Sequence, residues 1–391
     1  MTSSNNSGST NKSENRTSRR TVLKTIGAGA IFAGGTGIVS GDDNKIEITV
    51  AYTKEGRMTR LVSKSWWEDC QHVERVRDTV ADTYLNGGGI DSIGVTGSEN
   101  QIDGHTQMQI RVTYDKDEVD QEEVTDRIPD SKEGVNIVSE GINGGGPTSC
   151  PQDSTRDPVP GAIRQGNDKD GTADTSDNTF CAKAYYEPFD EDVIVATAHV
   201  YANDGDPCAY TPMGEKSYQY DTDDANREVG EVIQYSGMHD WAAVDFNGRG
   251  NLSSTEDIIT INGETELSGI WASYQYLIDN QITVHRSALA TGHESSYLRA
   301  YNVSNNDNCV TYNGEGVEFL MTTAVGDSGA PYYVFSDYDN DTGGVMLVGM
   351  QSWGKDVTTK TPDCKNWDPV YNLGRGPSSE TLYNYGLDFT K

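Results

Sequence analysis

The first part of the chain, from about residue 45 to residue 140, contains both the hydrophobic pattern of strands and the hydrophobic pattern of helices. The segment "KIEITVAY" alternates apolar and polar positions, which predicts a strand. The segment "WWEDCQHVERVRDTVADTYL" repeats every three to four residues and predicts a helix whose apolar face carries Trp67, Cys70, Val73, Val76 and Val80. Further strands are predicted at "IDSIGVTG", "TQMQIRVTYD" and "GVNIVSE", and a short helix at "QEEVTDRI". We therefore expect a small α+β module over residues 42–140, resembling a split β-α-β sandwich.

Gly, Pro, Asp and Ser dominate the stretch from about residue 141 to residue 180, where apolar residues are few. This composition is typical of linkers and loops. We place a linker at residues 141–157 and predict one short strand nearby, at "GAIRQG".

Short strand patterns separated by turn residues recur from about residue 179 to the end of the chain. Such spacing predicts an antiparallel β sandwich or barrel. The predicted strands are "CAKAYYE", "DVIVATAHV", "EVIQYS", "WAAVDF", "IITING", "QITVHRSA", "GVEFLMTT", "PYYVFS" and "VMLVGMQSWG".

The first 41 residues have the composition of an export signal. A polar stretch precedes Arg19 and Arg20, and the short apolar run "TIGAGAIFAGGTGIV" follows them, which resembles a twin-arginine signal with a cleavage site near Gly41. We expect a protein secreted by the twin-arginine pathway, with no membrane span in the mature form.

The charge of the chain excludes several kinds of partner. Its 61 acidic and 30 basic residues give a net charge of −31, which opposes binding to nucleic acid and to anionic membranes. The acidic residues are spread along the whole chain, a pattern similar to that of haloarchaeal proteins adapted to high salt.

An exported protein enters an oxidising environment, so its six cysteines can form up to three disulfides. Six cysteines can be paired in fifteen ways. Sequence order favours the pairs Cys70–Cys150, Cys181–Cys208 and Cys309–Cys364. None of the spacings is that of a zinc–thiolate site.

Three residues far apart in the sequence could form a nucleophilic site. Ser328 lies between an aspartate and a glycine in "GDSGAP", His199 ends an apolar strand, and Asp240 begins another. A serine hydroxyl needs a neutral imidazole to accept its proton and a carboxylate to orient that imidazole. Asp245 competes with Asp240 for the carboxylate role, although its place after the apolar stretch suits a solvent-facing residue better.

The order His…Asp…Ser, with the motifs "ATAH", "DWAAV", "GDSGAP" and "VGMQSWG", resembles the chymotrypsin-like (trypsin-fold) serine peptidases, in particular secreted bacterial and archaeal members. The resemblance covers residues 158–391 and implies a mostly β fold, a double six-stranded antiparallel β-barrel peptidase domain preceded by the α+β module.

The resemblance also implies residue roles. Ser328 would be the nucleophile, His199 the general base and acid, and Asp240 the orienting carboxylate, while the N–H groups of Gly326 and Ser328 would form the oxyanion hole. The expected substrate-binding residues are Thr322, Thr323, Ser352, Trp353 and Gly354. Thr322 and Thr323 are uncharged, so we expect a preference for an uncharged apolar P1 residue.

Several positions depart from the family pattern. Val200 stands where a cysteine usually follows the histidine, so Cys208 could take over the tie to Cys181. Ala196 and Ala330 replace the more usual Thr and Gly, and the "Ile-Val-Gly-Gly" activation sequence is lacking. In the family the residue corresponding to Asp327 pairs with a buried cation, and the sequence does not identify that cation here.

Other polar residues have plainer interpretations. His239, His285 and His293 are expected on surface segments, and His72 and His105 belong to the N-terminal module. Asp337, Asp339 and Asp341 alternate in a hairpin tip and could hold a structural calcium ion, but the spacing lacks the glycine and glutamate of a calcium loop. The expected chemistry itself requires no metal and no other cofactor.

The sequence therefore predicts an exported serine endopeptidase that acts on polypeptides. The alternative is a catalytically silent protein of the same fold that serves as a surface or binding protein. An α/β-hydrolase esterase fits less well, because it would need the order Ser…Asp…His and a helix after the serine. The module at 42–140 is expected to contact the peptidase domain, either as a removable pro-region or as a permanently attached domain.

Overall fold

The computed structural model describes residues 44–85, 89–116, 119–142, 159–167, 174–201, 211–219, 228–246, 254–305, 310, 312–324, 326–355 and 372–391. The export signal at 1–41, most of the linker at 141–157, and Cys150, Cys208, Cys309 and Cys364 lie outside these residues.

Strands dominate the described chain, which confirms the mostly β prediction. The strands that precede His199 are β1 (Lys45–Thr53), β2 (Gly56–Ser63), β3 (Ile90–Ile102), β4 (His105–Asp115), β5 (Ser131–Lys132), β6 (Val135–Ile142), β7 (Val159–Gly161), β8 (Arg164–Asn167), β9 (Asp174–Thr179), β10 (Lys183–Tyr186) and β11 (Glu191–Ala196). Those that follow are β12 (Lys216–Tyr218), β13 (Glu228–Ser236), β14 (Trp241–Asp245), β15 (Ser254–Thr260), β16 (Gly263–Trp271), β17 (Thr283–Ala288), β18 (Gly292–Asn305), β19 (Gly316–Phe319), β20 (Pro331–Asp337), β21 (Thr342–Met350), β22 (Trp353–Lys355), β23 (Leu373–Pro377) and β24 (Leu387–Asp388). The helices within the described residues are α1 (Lys64–Tyr84), α2 (Gln121–Arg127), α3 (Tyr274–Asp279) and α4 (Ser379–Asn384).

The strands form two sheets. The smaller has eight strands in the order β24-β10-β11-β14-β13-β12-β8-β9. The larger has sixteen strands, and its main path runs β2-β1-β16-β21-β20-β17-β18-β3-β4-β6-β5. No closed barrel is found among the described residues.

The strands of the N-terminal module lie at both ends of the larger sheet. At one end β1 pairs antiparallel with β16, in the register Ala51↔Trp271. At the other end β3 pairs antiparallel with β18, in the register Tyr301↔Val95. The module thus shares backbone hydrogen bonds with the strands that follow the linker, and its strands belong to the same sheet as theirs.

Helix α1 forms where the helical period predicts it. The Ser63 side chain caps its first turn by accepting a hydrogen bond from the Trp66 N–H. The predicted apolar face, Trp67, Cys70, Val73, Val76 and Val80, is buried. One apolar core contains this face together with residues from strands on both sides of the linker, such as Val95 of β3 and Val348 of β21.

Buried charges also join the module to the rest of the chain. Asp91 of β3 forms ion pairs of 2.8 Å with Arg375 of β23 and 2.9 Å with Lys355 of β22. Burial alone would raise the pKa of Asp91, but these two cations bring it down to about 2. The stabilisation from this carboxylate is therefore present near neutral pH and is lost as the pH falls towards 2.

The structure corrects two of the suggested disulfides. Cys70 and Cys181 are free thiols, so neither forms the pair expected from sequence order. Each side chain is fully buried in an apolar core, Cys70 on α1 and Cys181 just before β10. Burial raises the pKa of both thiols well above its usual range. The third suggested pair, Cys309–Cys364, lies outside the described residues.

The described helices are all too short or too polar to cross a lipid bilayer.

Candidate active site

The fold brings the three candidate residues together from two sheets. His199 follows β11 and Asp240 precedes β14, and these strands are neighbours in the smaller sheet, with Ala196 opposite Ala242. Ser328 lies in the turn between β19 and β20, which belong to the larger sheet. The site therefore lies where the two sheets meet.

His199 forms hydrogen bonds with both candidate partners. Its Nδ1 lies 2.6 Å from Asp240 Oδ2, and its Nε2 lies 3.0 Å from Ser328 Oγ. A carboxylate can only accept, so Nδ1 carries the proton and Nε2 is free to accept the hydrogen bond from the serine hydroxyl. This tautomer is the one that can remove a proton from Ser328.

Asp240 is buried and held by several donors. Its Oδ1 accepts the His199 backbone N–H at 2.8 Å, and its Oδ2 also accepts the Ser352 hydroxyl. Its backbone has a φ of +53°, a left-handed conformation that aspartate tolerates better than most residues. The carboxylate is thus fixed in place with its negative charge shared among three donors.

Two backbone N–H groups of the turn around Ser328 have no acceptor among the described residues. Gly326 has a φ of +98°, which explains the glycine at this position. Within the described residues, the N–H groups of Gly326 and Ser328 donate to no protein acceptor. Both predicted oxyanion donors are therefore without an acceptor among the described residues.

Asp327 turns inward and pairs with Arg286, a residue that the sequence analysis did not identify. The two side chains are fully buried, with 3.2 Å between Asp327 Oδ2 and the Arg286 guanidinium. Asp327 also accepts hydrogen bonds from the N–H groups of Ala290, Thr291 and Ala324, at 2.8 to 3.1 Å. An internal arginine thus supplies the cation expected for this carboxylate.

Arg286 also contacts residues outside its ion pair with Asp327. It donates to the Thr322 carbonyl and to the Gln351 side-chain oxygen, besides its contact with Asp327. Burial alone would lower the pKa of the Arg286 guanidinium, but the charge of Asp327 raises it above its ordinary value. Alternation along β17 could have indicated that Arg286 faces inward, but its carboxylate partner is 41 positions later in the sequence.

The predicted pocket residues Thr322 and Thr323 precede the turn, and Thr323 is buried. The Thr322 N–H donates to Glu294 Oε2 at 2.7 Å, so a carboxyl group that the sequence analysis missed lies next to this position. Burial raises the pKa of Glu294 above its ordinary value, and nearby Arg286 partly opposes the shift.

Ser352, Trp353 and Gly354 lie beside the three candidate residues. The Ser328 hydroxyl is 3.4 Å from the Ser352 carbonyl oxygen, and the Trp353 ring lies 5.4 Å from the His199 ring. Strand β22 pairs with β23 on one edge, with Gly354 opposite Gly374. Its other edge pairs with none of the described strands.

The competing candidates lie elsewhere. Asp245 is at the far end of β14, where its Oδ1 accepts the Glu231 N–H at 2.9 Å. The structure contradicts the surface placement of two histidines: His239 is buried against Glu315, and His285 lies against Asp341 at 3.1 Å.

The calcium hypothesis gains no geometric support from the described residues. Asp337 accepts hydrogen bonds from the Asn340 side chain, and Asp341 contacts His285. No group of three or more potential metal ligands is clustered in the described part of the chain.

The arrangement as a whole can activate a hydroxyl and stabilise an oxyanion. A base that accepts from Ser328, a carboxylate behind that base, and N–H donors in the same turn that have no acceptor among the described residues are groups that acyl transfer uses. In comparisons with known proteins, the chain matches no family model and no curated protein sequence.

Proposed function

We propose that this protein is a serine endopeptidase of the chymotrypsin-like type, with the double-barrel arrangement of that family. The observation that carries the proposal is the continuous hydrogen-bonded chain from Ser328 through His199 to Asp240, with distances of 3.0 and 2.6 Å. The three residues stand in the order His…Asp…Ser in the sequence, as in that family.

In the first half of the proposed reaction, His199 Nε2 removes the Ser328 proton while Oγ attacks the carbonyl carbon of the scissile peptide bond. The carbonyl oxygen becomes an oxyanion, which accepts hydrogen bonds from the N–H groups of Gly326 and Ser328. Asp240 stabilises the imidazolium that forms. His199 then donates the proton to the amide nitrogen, the C–N bond breaks, and an acyl-enzyme on Ser328 remains.

In the second half, a water molecule takes the place of the departed amine. His199 Nε2 accepts one of its protons while the water oxygen attacks the acyl carbon. The tetrahedral intermediate collapses, the bond to Ser328 Oγ breaks, and His199 returns the proton to that oxygen. The enzyme is regenerated and the products are an amine and a carboxylic acid.

The surroundings of the site support an extended polypeptide as substrate. The edge of β22 that pairs with no described strand lies beside Ser328, and it can pair with a substrate strand through the Ser352 carbonyl and the backbone groups of Trp353 and Gly354. We retain an uncharged P1 residue as the proposed preference. Arg286 lies within interaction range of both Asp327 and Glu294 and offsets one of the two negative charges, while burial raises the pKa of Glu294 and so favours its neutral form. Export by the twin-arginine pathway is part of the same proposal.

The proposal is tested by active-site labelling in concentrated salt. Wild-type protein is expected to react with a fluorophosphonate probe at Ser328 and to hydrolyse casein, whereas Ser328→Ala should do neither. Ser336→Ala provides a matched control, since Ser336 is an exposed serine on β20. Absence of labelling and of hydrolysis by folded wild-type protein would instead favour a silent binding protein of the same fold.

A further inference from the structure

The proposed reaction depends on how the two sheets are held together. His199 and Asp240 belong to the smaller sheet, while Ser328 belongs to a turn of the larger one. The 3.0 Å distance between His199 Nε2 and Ser328 Oγ therefore spans the junction of two separately hydrogen-bonded sheets. Contacts at this junction must position the turn relative to the imidazole.

Thr179, the last residue of β9, makes three such contacts. Its backbone N–H donates to the Ser328 carbonyl at 2.8 Å. Its hydroxyl donates to the Gly326 carbonyl at 2.6 Å and accepts the Leu289 N–H at 3.0 Å. Thr179 is fully buried and belongs to the smaller sheet, so these bonds join that sheet directly to the turn at residues 326–329 that carries Ser328, which we call the nucleophile turn.

The hydroxyl contact restrains the peptide group between the two oxyanion donors. The carbonyl of the Gly326–Asp327 peptide accepts the Thr179 hydroxyl, while its N–H donates to the Ala324 carbonyl at 2.9 Å. Gly326 has no side chain to limit its backbone, so rotation of this peptide is opposed mainly by its hydrogen bonds. Such a rotation would change where the neighbouring N–H groups point.

We propose that Thr179 is a positioning residue for acyl transfer, whose hydroxyl holds the nucleophile turn and its oxyanion donors in register with His199. The inference rests on the proposed peptidase function and adds a residue that no sequence motif indicated. Thr179 contacts the turn that carries the reacting groups and is itself fully buried.

The packing of the turn allows the hydroxyl to be tested separately. The Thr179 backbone lies so close to the turn that a Cβ at Gly329 would be 1.8 Å from its carbonyl oxygen. The bond from the Thr179 N–H to the Ser328 carbonyl does not involve the side chain, so it survives substitution. Thr179→Val keeps the shape and this backbone bond, replaces the hydroxyl with a methyl group, and so removes both hydroxyl contacts, to the Gly326 carbonyl and from the Leu289 N–H.

The experiment compares Thr179→Val and Thr179→Ser with wild type, using a chromogenic peptide and a peptide boronic acid that mimics the tetrahedral intermediate. In Thr179→Val we expect kcat to fall roughly 10- to 100-fold, KM to stay within about threefold, and boronate affinity to fall in parallel with kcat/KM. Thr179→Ser, which retains a hydroxyl, is expected to stay within about fivefold of wild type.

Thr96→Val is the matched control. Thr96 is a buried threonine on β3 whose hydroxyl also donates to a backbone carbonyl, at 2.7 Å, but it belongs to the N-terminal module. A similar loss of stability in both valine variants, with loss of kcat only at Thr179, supports the inference. Equal kcat for Thr179→Val and Thr96→Val overturns it.

The remaining outcomes are also decisive. If Thr179→Val fails to fold, Thr179→Ser provides the answer, because a kcat loss of 10-fold or more with the hydroxyl retained overturns the inference. An inactive, unlabelled wild-type protein means that the peptidase proposal itself has failed. An active wild type with an unaffected Thr179→Val means that only the positioning role has failed.

Discussion

Replacing Arg286 with methionine removes the only cation that the structure places against Asp327 among the described residues. The pair is fully buried, with 3.2 Å between charged atoms, so the carboxylate left behind cannot be rehydrated without opening the turn. Methionine fills a volume close to that of the arginine stem, so the effect reports mainly on charge and hydrogen bonding.

The expected magnitude follows from what each group retains. Asp327 keeps four donors: the N–H groups of Ala290, Thr291 and Ala324, and the Thr291 hydroxyl at 2.9 Å. The Thr322 carbonyl loses the donor that Arg286 supplied. Removing one partner of a buried pair costs about 3–5 kcal/mol, and because Asp327 keeps these donors we expect a loss of about 3 kcal/mol of unfolding free energy. Activity should fall by at least about 100-fold, because Asp327 adjoins the nucleophile.

The assay is urea unfolding followed by tryptophan fluorescence, together with peptide hydrolysis, on Arg286→Met, Asp327→Asn and the double variant. Asp327→Asn removes the negative charge, so the double variant should be more stable than the sum of the single effects predicts, by about 1.5 kcal/mol or more. Arg57→Met, at an exposed arginine, controls for net charge. Since a buried pair is poorly screened, the loss should persist in concentrated salt.

Two results would refute this reasoning. One is strict additivity of the two substitutions in the double-variant cycle, which would show that the charges do not interact. The other is an Arg286→Met protein that loses less than about 1 kcal/mol and keeps full activity, which would show that the turn does not depend on the pair.

Three further changes test other parts of the structure. Ser352→Ala removes a hydroxyl that donates to the buried Asp240 carboxylate, so it should lower kcat/KM about tenfold and cost about 1–2 kcal/mol of unfolding free energy. Steady-state kinetics and urea unfolding measure the two effects, and an unchanged rate would contradict that role. Burial, together with the charges of Glu74 and Glu315, raises the pKa of Glu380 to about 7. Because this carboxyl group ionises more easily in the unfolded chain, the free energy of unfolding of the protein decreases as the pH rises from about 4.5 to 7. Glu380→Gln should therefore stabilise the protein by about 1 kcal/mol at pH 8, discounted for partial exposure, and by almost nothing at pH 4; equal urea midpoints at pH 8 would oppose this. Cutting the chain at a protease site inserted in the 141–157 linker should leave both fragments associated in gel filtration with full peptidase activity, whereas separation of an active 158–391 fragment would support a removable pro-region.

The sequence predicted well those elements whose pattern is strictly local. Strand β1 and helix α1 follow from alternation and from the helical repeat, because the side chains that make each face are near neighbours in the chain. Strands β16 and β18 were missed, because segments such as "GETELSGIW" and "GHESSYLRAYNVSN" show no clear alternation. The second of these alternates between exposed and partly buried positions over its first half and is almost continuously buried over its second, so a single period does not describe it.

The candidate site shows the same division. Ser328, His199 and Asp240 were identified because each sits in a recognisable motif, and the structure brings them within hydrogen-bonding distance. Arg286 and Thr179 lie in no motif, and their importance appears only when their partners are seen. The disulfide expectations for Cys70 and Cys181 were wrong because order in the sequence carries no information about which thiols face each other.

By itself, the sequence determined the strand-rich character of this protein, helix α1 and the residue types of the candidate site. Each of these depends on a periodic pattern or a short motif, and the residues that form such a pattern are close together in the sequence. Only the tertiary structure decided that the module's strands would lie at both ends of one large sheet. It alone also placed the Thr179 hydroxyl against a carbonyl 147 residues away. Contacts of this kind depend on the packing of whole sheets, since the gain from burying their apolar faces outweighs any local preference.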